Sequence, residues 1–373
     1  MNTPSSARRE EIEPGVVRGE WWHRLDDGGV QCDLCPRFCK LHEGQKAFCF
    51  VRQARDGEIV LTSYGRATGY CIDPIEKKPL SHFYPGSAVL SFGTAGCNLG
   101  CRFCQNWDIS KAREDRVLAA TASPTVVADA AADAECTSVA FTYNDPIIFA
   151  EYAIDCAKEA RARGVKTVAV SSGYMTPEAR RDFYAHIDAV NIDLKAFTET
   201  FYHEISFAHL APVLDTLSWL RQETDVWLEV TTLLIPGRND SEDEVERLCA
   251  WLVENLGPEV PLHFSAFHPD FKMMNVTPTP AATLRRAREQ GSRAGLKHVY
   301  TGNIRDVEGQ STYCPGCGQL VIGRDGYEIT AWSLDEASRC SGCRLALAGR
   351  FASKPGHWGM RRQPVFFDTS VRR

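Results

Sequence analysis

Between about residues 61 and 305 the chain alternates short, nearly unbroken apolar runs with longer stretches whose apolar positions recur at helical spacing. The runs are Val89 to Gly93, Thr137 to Tyr143, Val165 to Val170, Ala189 to Leu194, Val226 to Leu234 and Leu262 to Phe267. Runs without polar alternation are what strands buried on both faces require, as in a parallel sheet. Helix starts stand between them at Ser123-Pro124, at Thr176-Pro177-Glu178, and at Ser241, where Glu244 completes a capping box ahead of Val245 to Leu256. Gly164 and Gly257 are natural stops. Strand and helix units repeating at this spacing predict an α/β core with a parallel sheet, closed into a barrel or wound as an open sheet. In either case the ligand site belongs at the carboxyl ends of the strands. The pattern stops at both ends of the chain. Residues 1–60 and 306–350 lack the alternation and each carries four clustered cysteines, so we divide the chain into these two regions, a central 61–305 unit and an extended 351–373 tail.

Composition narrows the class. With 373 residues, 44% apolar and 24% charged, the chain is an ordinary globular one with room for two or three domains. A formal charge of −6 gives no field that would gather polyanions, so neither nucleic acid nor an acidic membrane surface is expected as a partner. No run approaches the roughly 18 apolar residues of a membrane span, and the polar start from Met1 to Val17 lacks the apolar core of an export signal. A cytoplasmic location is expected, where thiols stay reduced.

Fifteen cysteines change the picture. Random placement would give fewer than one Cys-x-x-Cys pair, yet there are four: Cys32/Cys35, Cys101/Cys104, Cys314/Cys317 and Cys340/Cys343. An excess at this spacing signals metal. Cys71, Cys136, Cys156 and Cys249 fall outside the pairs and are read as buried core thiols. The strongest segment follows the first predicted strand, where Cys97, Cys101 and Cys104 stand at C-x3-C-x2-C on a loop bearing Gly96 and Gly100. Three thiolates can hold three irons of a cubane and leave the fourth open. Zinc would call for a fourth Cys or His, and Gln105 to Asp108 offer a poor one.

These residues resemble the radical SAM superfamily, including the aromatic Phe103 directly before the last cysteine. The resemblance implies a partial parallel (β/α)6-type TIM barrel and a [4Fe-4S] cluster on Cys97, Cys101 and Cys104. It implies further that S-adenosylmethionine chelates the open iron and is cleaved by one electron to methionine and a 5′-deoxyadenosyl radical that abstracts hydrogen. Within the superfamily, Asn191 to Lys195, Leu233 to Asp240 and Phe267-His268 resemble the pyruvate formate-lyase activating enzyme branch, which implies cofactor contacts for Asp193, Lys195 and His268. Asp73 to Leu80, Gln105 to Ser110, Thr142 to Pro146 and His268 to Asp270, in this order, resemble a narrower family, the radical SAM proteins of the AmmeMemoRadiSam system. That likeness implies Memo-like and Ammecr-like proteins as partners, beside an electron donor such as flavodoxin or ferredoxin. Two positions depart from the activating-enzyme pattern. Asn144-Asp145-Pro146 replaces Gly-Gly-Glu, and Asn144 and Asp145 are assigned to its role of holding the methionyl amine; Val170 to Gly173 replaces Asp-Thr-Asn-Gly and loses a carboxylate.

The two ends add metal sites. Cys314, Cys317, Cys340 and Cys343 form two knuckles, the zinc-ribbon arrangement, with structural zinc expected and mononuclear iron as the alternative. Cys32, Cys35, Cys39 and Cys49, with His42 as an extra ligand, fit either zinc or a second iron-sulfur cluster. Plainer readings compete: Asp193 and Lys195 as an ion pair, His268 as a loop histidine, Phe103 and Trp107 as cover for the cluster. Three functions are weighed: a radical SAM oxidoreductase of unknown substrate, a glycyl-radical-enzyme activase, and a non-catalytic zinc-stabilised scaffold. No catalytic side chain is assigned.

Overall fold

The computed structural model describes residues 9–113, 118 and 120–367. Its centre is a nine-stranded sheet. Seven strands are parallel and stand in chain order: β1 (Ala88–Gly93), β2 (Ser138–Phe141), β3 (Lys166–Ser171), β4 (Ala189–Asp193), β5 (Trp227–Leu234), β6 (Leu262–Ala266) and β7 (Val299–Gly302). The six expected strands are β1 to β6; β7 was not among them, since only Val299 and Tyr300 of its four residues are apolar. Beside β1 the strand Gly69–Pro74 pairs antiparallel, and Gln363–Val365 of the tail pairs antiparallel with it, so the extended C-terminal segment closes that edge of the sheet.

Helices α1 (Pro124–Asp133), α2 (Ala150–Ala162), α3 (Pro177–Tyr184), α4 (Ala211–Glu223), α5 (Glu242–Leu256) and α6 (Ala281–Ala294) connect the parallel strands. Their capping follows the sequence in part. Ser123 and Ser241 accept from the amides of Val126 and Glu244. Glu244 does not close the capping box, because its carboxylate accepts from the Phe197 amide instead. Thr176 leaves its helix uncapped and donates its hydroxyl to the Asp33 carbonyl at 2.7 Å, tying α3 to the N-terminal region. Both substitutions spend a local cap on a long-range contact.

Strands β1 to β7 carry almost no exposed side chain, as the unbroken apolar runs require. The N-terminal region shares this core: Val17, Val30, Cys32, Leu34, Cys49, Val51 and Ile59 belong to the same apolar cluster as Phe92, Phe141 and Val190. The C-terminal module has its own cluster, built on Cys314, Val321, Ile322, Leu334, Cys340 and Leu347. Cys136, Cys156 and Cys249 are buried in the main core. Among the described residues no helix is long and apolar enough to cross a membrane.

Candidate functional site

A cavity of about 1000 Å³ opens at the carboxyl ends of the parallel strands. Each strand contributes the residues at or just past its end: the cysteine loop after β1, Thr142 to Asp145 after β2, Ser171 and Ser172 from β3, Asp193 and Lys195 from β4, Thr231 and Leu233 of β5, Ser265 of β6 and Asn303 after β7. A smaller cavity of about 530 Å³ lies at the other end, lined by Lys166, Asp188, Trp219 and Val226, and holds no cysteine.

Cys97, Cys101 and Cys104 all line the large cavity, with Phe103 behind them, buried and 6.0 Å from the Phe201 ring. Backbone contacts pin their loop: the Gly100 amide donates to Ser206 O, the Arg102 amide to Ile205 O, and Lys111 Nζ to Leu99 O. Burial pushes the Cys97 thiol up to about 11 and raises that of Cys101, a cost that a metal ion taking the proton's place removes. The residues therefore suit a cluster: three soft thiol ligands on one rigid loop, facing space large enough for a nucleoside. Trp107, expected as cover, is instead 45% exposed and stacks on Phe271.

Asn144 is occupied by that loop. Its side-chain amide donates to Gly96 O at 2.7 Å and its carbonyl accepts from the Thr94 amide at 3.2 Å, so it holds the loop against β2. Asp145 lies buried over β3, accepting from Ser171 Oγ at 3.1 Å and from the Ser172 amide at 2.9 Å, with the Ser172 hydroxyl as a further donor. Burial raises its pKa above the ordinary carboxylate value and the serine donors oppose the rise. Asp145, in the loop after β2, thus places a carboxylate against Ser171 and Ser172 of the Val170 to Gly173 segment. Asp193 and Lys195 form an ion pair at 2.5 Å. Burial alone would lower the Lys195 ammonium, but Asp193 and Cys101 hold it above the ordinary range. His268 stands apart from this group: it is exposed, and its Nε2 faces Asn303 O at 3.4 Å.

The sequence gives no role to a further group, whose Lys77, Lys78 and Tyr143 also line the cavity. Asp73, wholly buried, accepts from Lys77 Nζ at 2.9 Å, Lys78 Nζ at 2.8 Å and the Tyr143 hydroxyl at 2.7 Å. Burial would raise Asp73; its three donors more than reverse this and bring it to about 2. Burial outweighs Asp73 at Lys78 and lowers it to about 8. Tyr143 holds φ at 72°, a costly conformation for an aromatic residue. Cys71, expected as plain core, is buried but lines the cavity on this side. The visible signal was a pair of lysines and an acid inside an apolar stretch.

At the C-terminus, Cys314, Cys317, Cys340 and Cys343 bring their sulfurs within 4.8 Å of one another. The pairs Cys314/Cys343 and Cys317/Cys340 stand 3.4 and 3.7 Å apart. Four ligands about 2.3 Å from one tetrahedral ion lie about 3.8 Å apart, so the set has the shape of a single-ion site. The Cys343 and Gly342 amides, pointing at the Cys340 sulfur, bring that thiol to about 7. In the N-terminal region Cys32, Cys35 and Cys49 are buried and Cys39 half-buried, while His42 is exposed.

Residues 92–252 match the family model of the radical SAM superfamily. An uncharacterised protein of Methanocaldococcus jannaschii is 39% identical over 324 residues, which is 87% of this chain and 96% of that one. Among solved structures, a radical SAM methyltransferase from Sphaerobacter thermophilus is 15% identical with a TM-score of 0.48, covering 82% of this chain and 81% of its own. A domain of pyruvate-formate lyase-activating enzyme from Bacteroides vulgatus is 17% identical with a TM-score of 0.40, covering 44% of this chain and 99% of its own.

Proposed function

The chain belongs to the radical SAM superfamily, a superfamily of enzymes, and from that premise we propose that it is an oxidoreductase that cleaves S-adenosylmethionine reductively and abstracts hydrogen from a substrate. Cys97, Cys101 and Cys104 hold a [4Fe-4S] cluster. The observation that carries this reading is their convergence on the large cavity, together with polar groups at the ends of β2 to β4. When bound, the cluster supplies one electron to the sulfonium and so yields methionine and a 5′-deoxyadenosyl radical.

The chain's own residues bind, orient and exclude water. Asn144 fixes the cysteine loop by its two hydrogen bonds and Asp145 presents a buried carboxylate to the methionyl ammonium. Asp193 and Lys195 offer opposite charges to a zwitterion, and charge-assisted bonds of this kind are the stronger ones. Phe103 keeps the cluster dry, which tunes its potential. His268, exposed, reaches the ribose only by a loop movement. The sheet, open and in chain order, is read as a partial (β/α)6-type barrel, and the C-terminal four-cysteine module as a zinc ribbon. The quoted strings support placement among the radical SAM proteins of the AmmeMemoRadiSam system, with Memo-like and Ammecr-like proteins as partners and a flavodoxin or ferredoxin as electron donor.

Anaerobic protein given dithionite and S-adenosylmethionine is expected to release 5′-deoxyadenosine, and Cys101→Ala to release none. Turnover of the variant equal to wild type defeats the reading.

A further inference from the structure

All fifteen cysteines are free, and eleven of them fall into three sets on three separate loops or modules. Among the described residues, only the C-terminal four have their sulfurs within 4.8 Å of one another, the spread suited to one tetrahedral ion. The Cys97, Cys101 and Cys104 sulfurs are spread wider, as they must be if each meets a different iron of one cube. In the N-terminal set, likewise, no three sulfurs all lie within 4.8 Å of one another. Its members are nonetheless neighbours: Cys35 lies within electrostatic reach of Cys32, Cys49 and Cys39, and Cys32 within reach of Cys39. The Cys32 amide also donates to Cys39 O at 2.9 Å.

This set lies against the loop of the first cluster. A Cβ added at Gly96, next to Cys97, would stand 1.9 Å from the Cys49 carbonyl oxygen, so the two loops meet backbone to backbone. Arg37, two residues past Cys35, donates to the carbonyls of Asn98 and Phe207. The Thr176 amide donates to Leu34 O at 3.2 Å, and Asn98 Nδ2 donates to Tyr174 O at 2.8 Å, joining both loops to the end of β3. Behind the sulfurs the buried Arg52 guanidinium lies within reach of both Cys32 and Cys49 and is held bidentate by Glu151, at 2.6 Å to each oxygen.

We propose that Cys32, Cys35, Cys39 and Cys49 hold a second [4Fe-4S] cluster, ligated at all four irons and packed directly against the loop that carries the first. Four thiolates leave no iron open to a substrate, so this cluster's chemistry is the passage of single electrons. The inference does not depend on what substrate the first cluster serves.

The test is iron, sulfide and zinc analysis with EPR on anaerobically reconstituted full-length protein. Wild type is expected to hold about eight irons, about eight sulfides and one zinc per chain, four irons for each cube. A C97A/C101A/C104A variant should retain about four irons and a reduced-cluster EPR signal that S-adenosylmethionine leaves unchanged. A C35A/C49A variant should retain about four irons whose signal S-adenosylmethionine does perturb. Wild type with about four irons and two zincs overturns the proposal, as does a triple variant that holds no iron. The triple variant replaces residues on the cavity wall, so the proposal remains testable should C35A/C49A fail to fold.

Discussion

In the C-terminal module four sulfurs crowd to single-ion distances inside a small private core, on two knuckles joined by the antiparallel strands Leu320–Asp325 and Glu328–Trp332. In the N-terminal region no three of the four sulfurs all lie within 4.8 Å of one another, and residues between them such as Leu34, Leu41 and Ala47 are part of the main apolar core. The same number of ligands is thus used in two ways. On the zinc-ribbon reading proposed above, an ion organises the C-terminal residues, whose cluster of six buried residues includes the ligands Cys314 and Cys340 and is small for independent folding. The N-terminal residues are already ordered by the protein, through Thr176, Arg37 and the Arg52–Glu151 pair, so a metal centre there is held in place and need not supply the folding energy. A site organised by the fold suits electron transfer, where geometry must be kept between oxidation states.

The largest effect that would test this contrast is removal of the C-terminal ion. Structural zinc contributes on the order of 10 kcal/mol to the folding of small modules. Chelation, or Cys340→Ser, should therefore release one zinc and open residues 312–351 to limited proteolysis while the main unfolding transition persists. Collapse of the whole chain would show that the module is not separate. Next in size is Arg52→Met, which leaves the Glu151 carboxylate buried without its cation. Stranding one partner of a buried pair costs about 3–5 kcal/mol, and here the loss should appear in global denaturation, because the pair joins the N-terminal region to α2. An Arg52→Met/Glu151→Met chain should recover much of it; a single variant as stable as wild type would uncouple the region from the core. Gly96→Ala comes third. Gly96 has φ at 83° with the Cys49 carbonyl against it, and the backbone strain alone is about 1–3 kcal/mol. The variant should lose iron from both cysteine sets; retention of the full iron content would mean the two loops do not bear on each other.

The sheet was legible because its strands are buried on both faces, so Val165 to Val170 and Leu262 to Phe267 read as strands without any partner in view. Gly69–Pro74 was not, since it mixes Tyr70 and Ile72 of the core with Cys71 on the cavity and the buried, charged Asp73, and a mixed strand beside Lys77 and Lys78 looks like polar surface. Cys97, Cys101 and Cys104 were legible because their spacing is local. Asp145 could be named but its partners could not, because the Ser171 and Ser172 contacts cross between strands. The choice between zinc and cluster at the N-terminus is open in the sequence for the same reason: spacing along the chain allows both. The exposure of His268 is not legible either, since nothing local says which way a loop histidine faces.

The smallest effect concerns how the C-terminal module is attached. Its Arg324 donates to Ser81 O at 2.6 Å, and the Ala348 carbonyl lies 2.7 Å from His82 Nδ1. Ser81 and His82 are in turn held by Glu229, which accepts from their amides at 2.9 and 2.7 Å, from Trp227 Nε1 at 2.9 Å and from His263 Nε2 at 2.7 Å. Burial alone would raise the Glu229 carboxyl, and these donors reverse the rise and bring it to about 2. A folded value below the ordinary carboxylate range means that the stabilisation is complete above about pH 4.5 and drains away as pH falls toward 2. Glu229→Gln keeps the shape and loses the charge, at a cost of about 1–3 kcal/mol near neutrality. The gap between wild type and variant in denaturation should then narrow steadily below pH 4.5, because the wild type becomes neutral as well. A gap that stays constant from pH 7 to pH 3 would mean that Glu229 does not titrate there, and that attachment of the module, unlike that of the N-terminal region, does not depend on a buried charge.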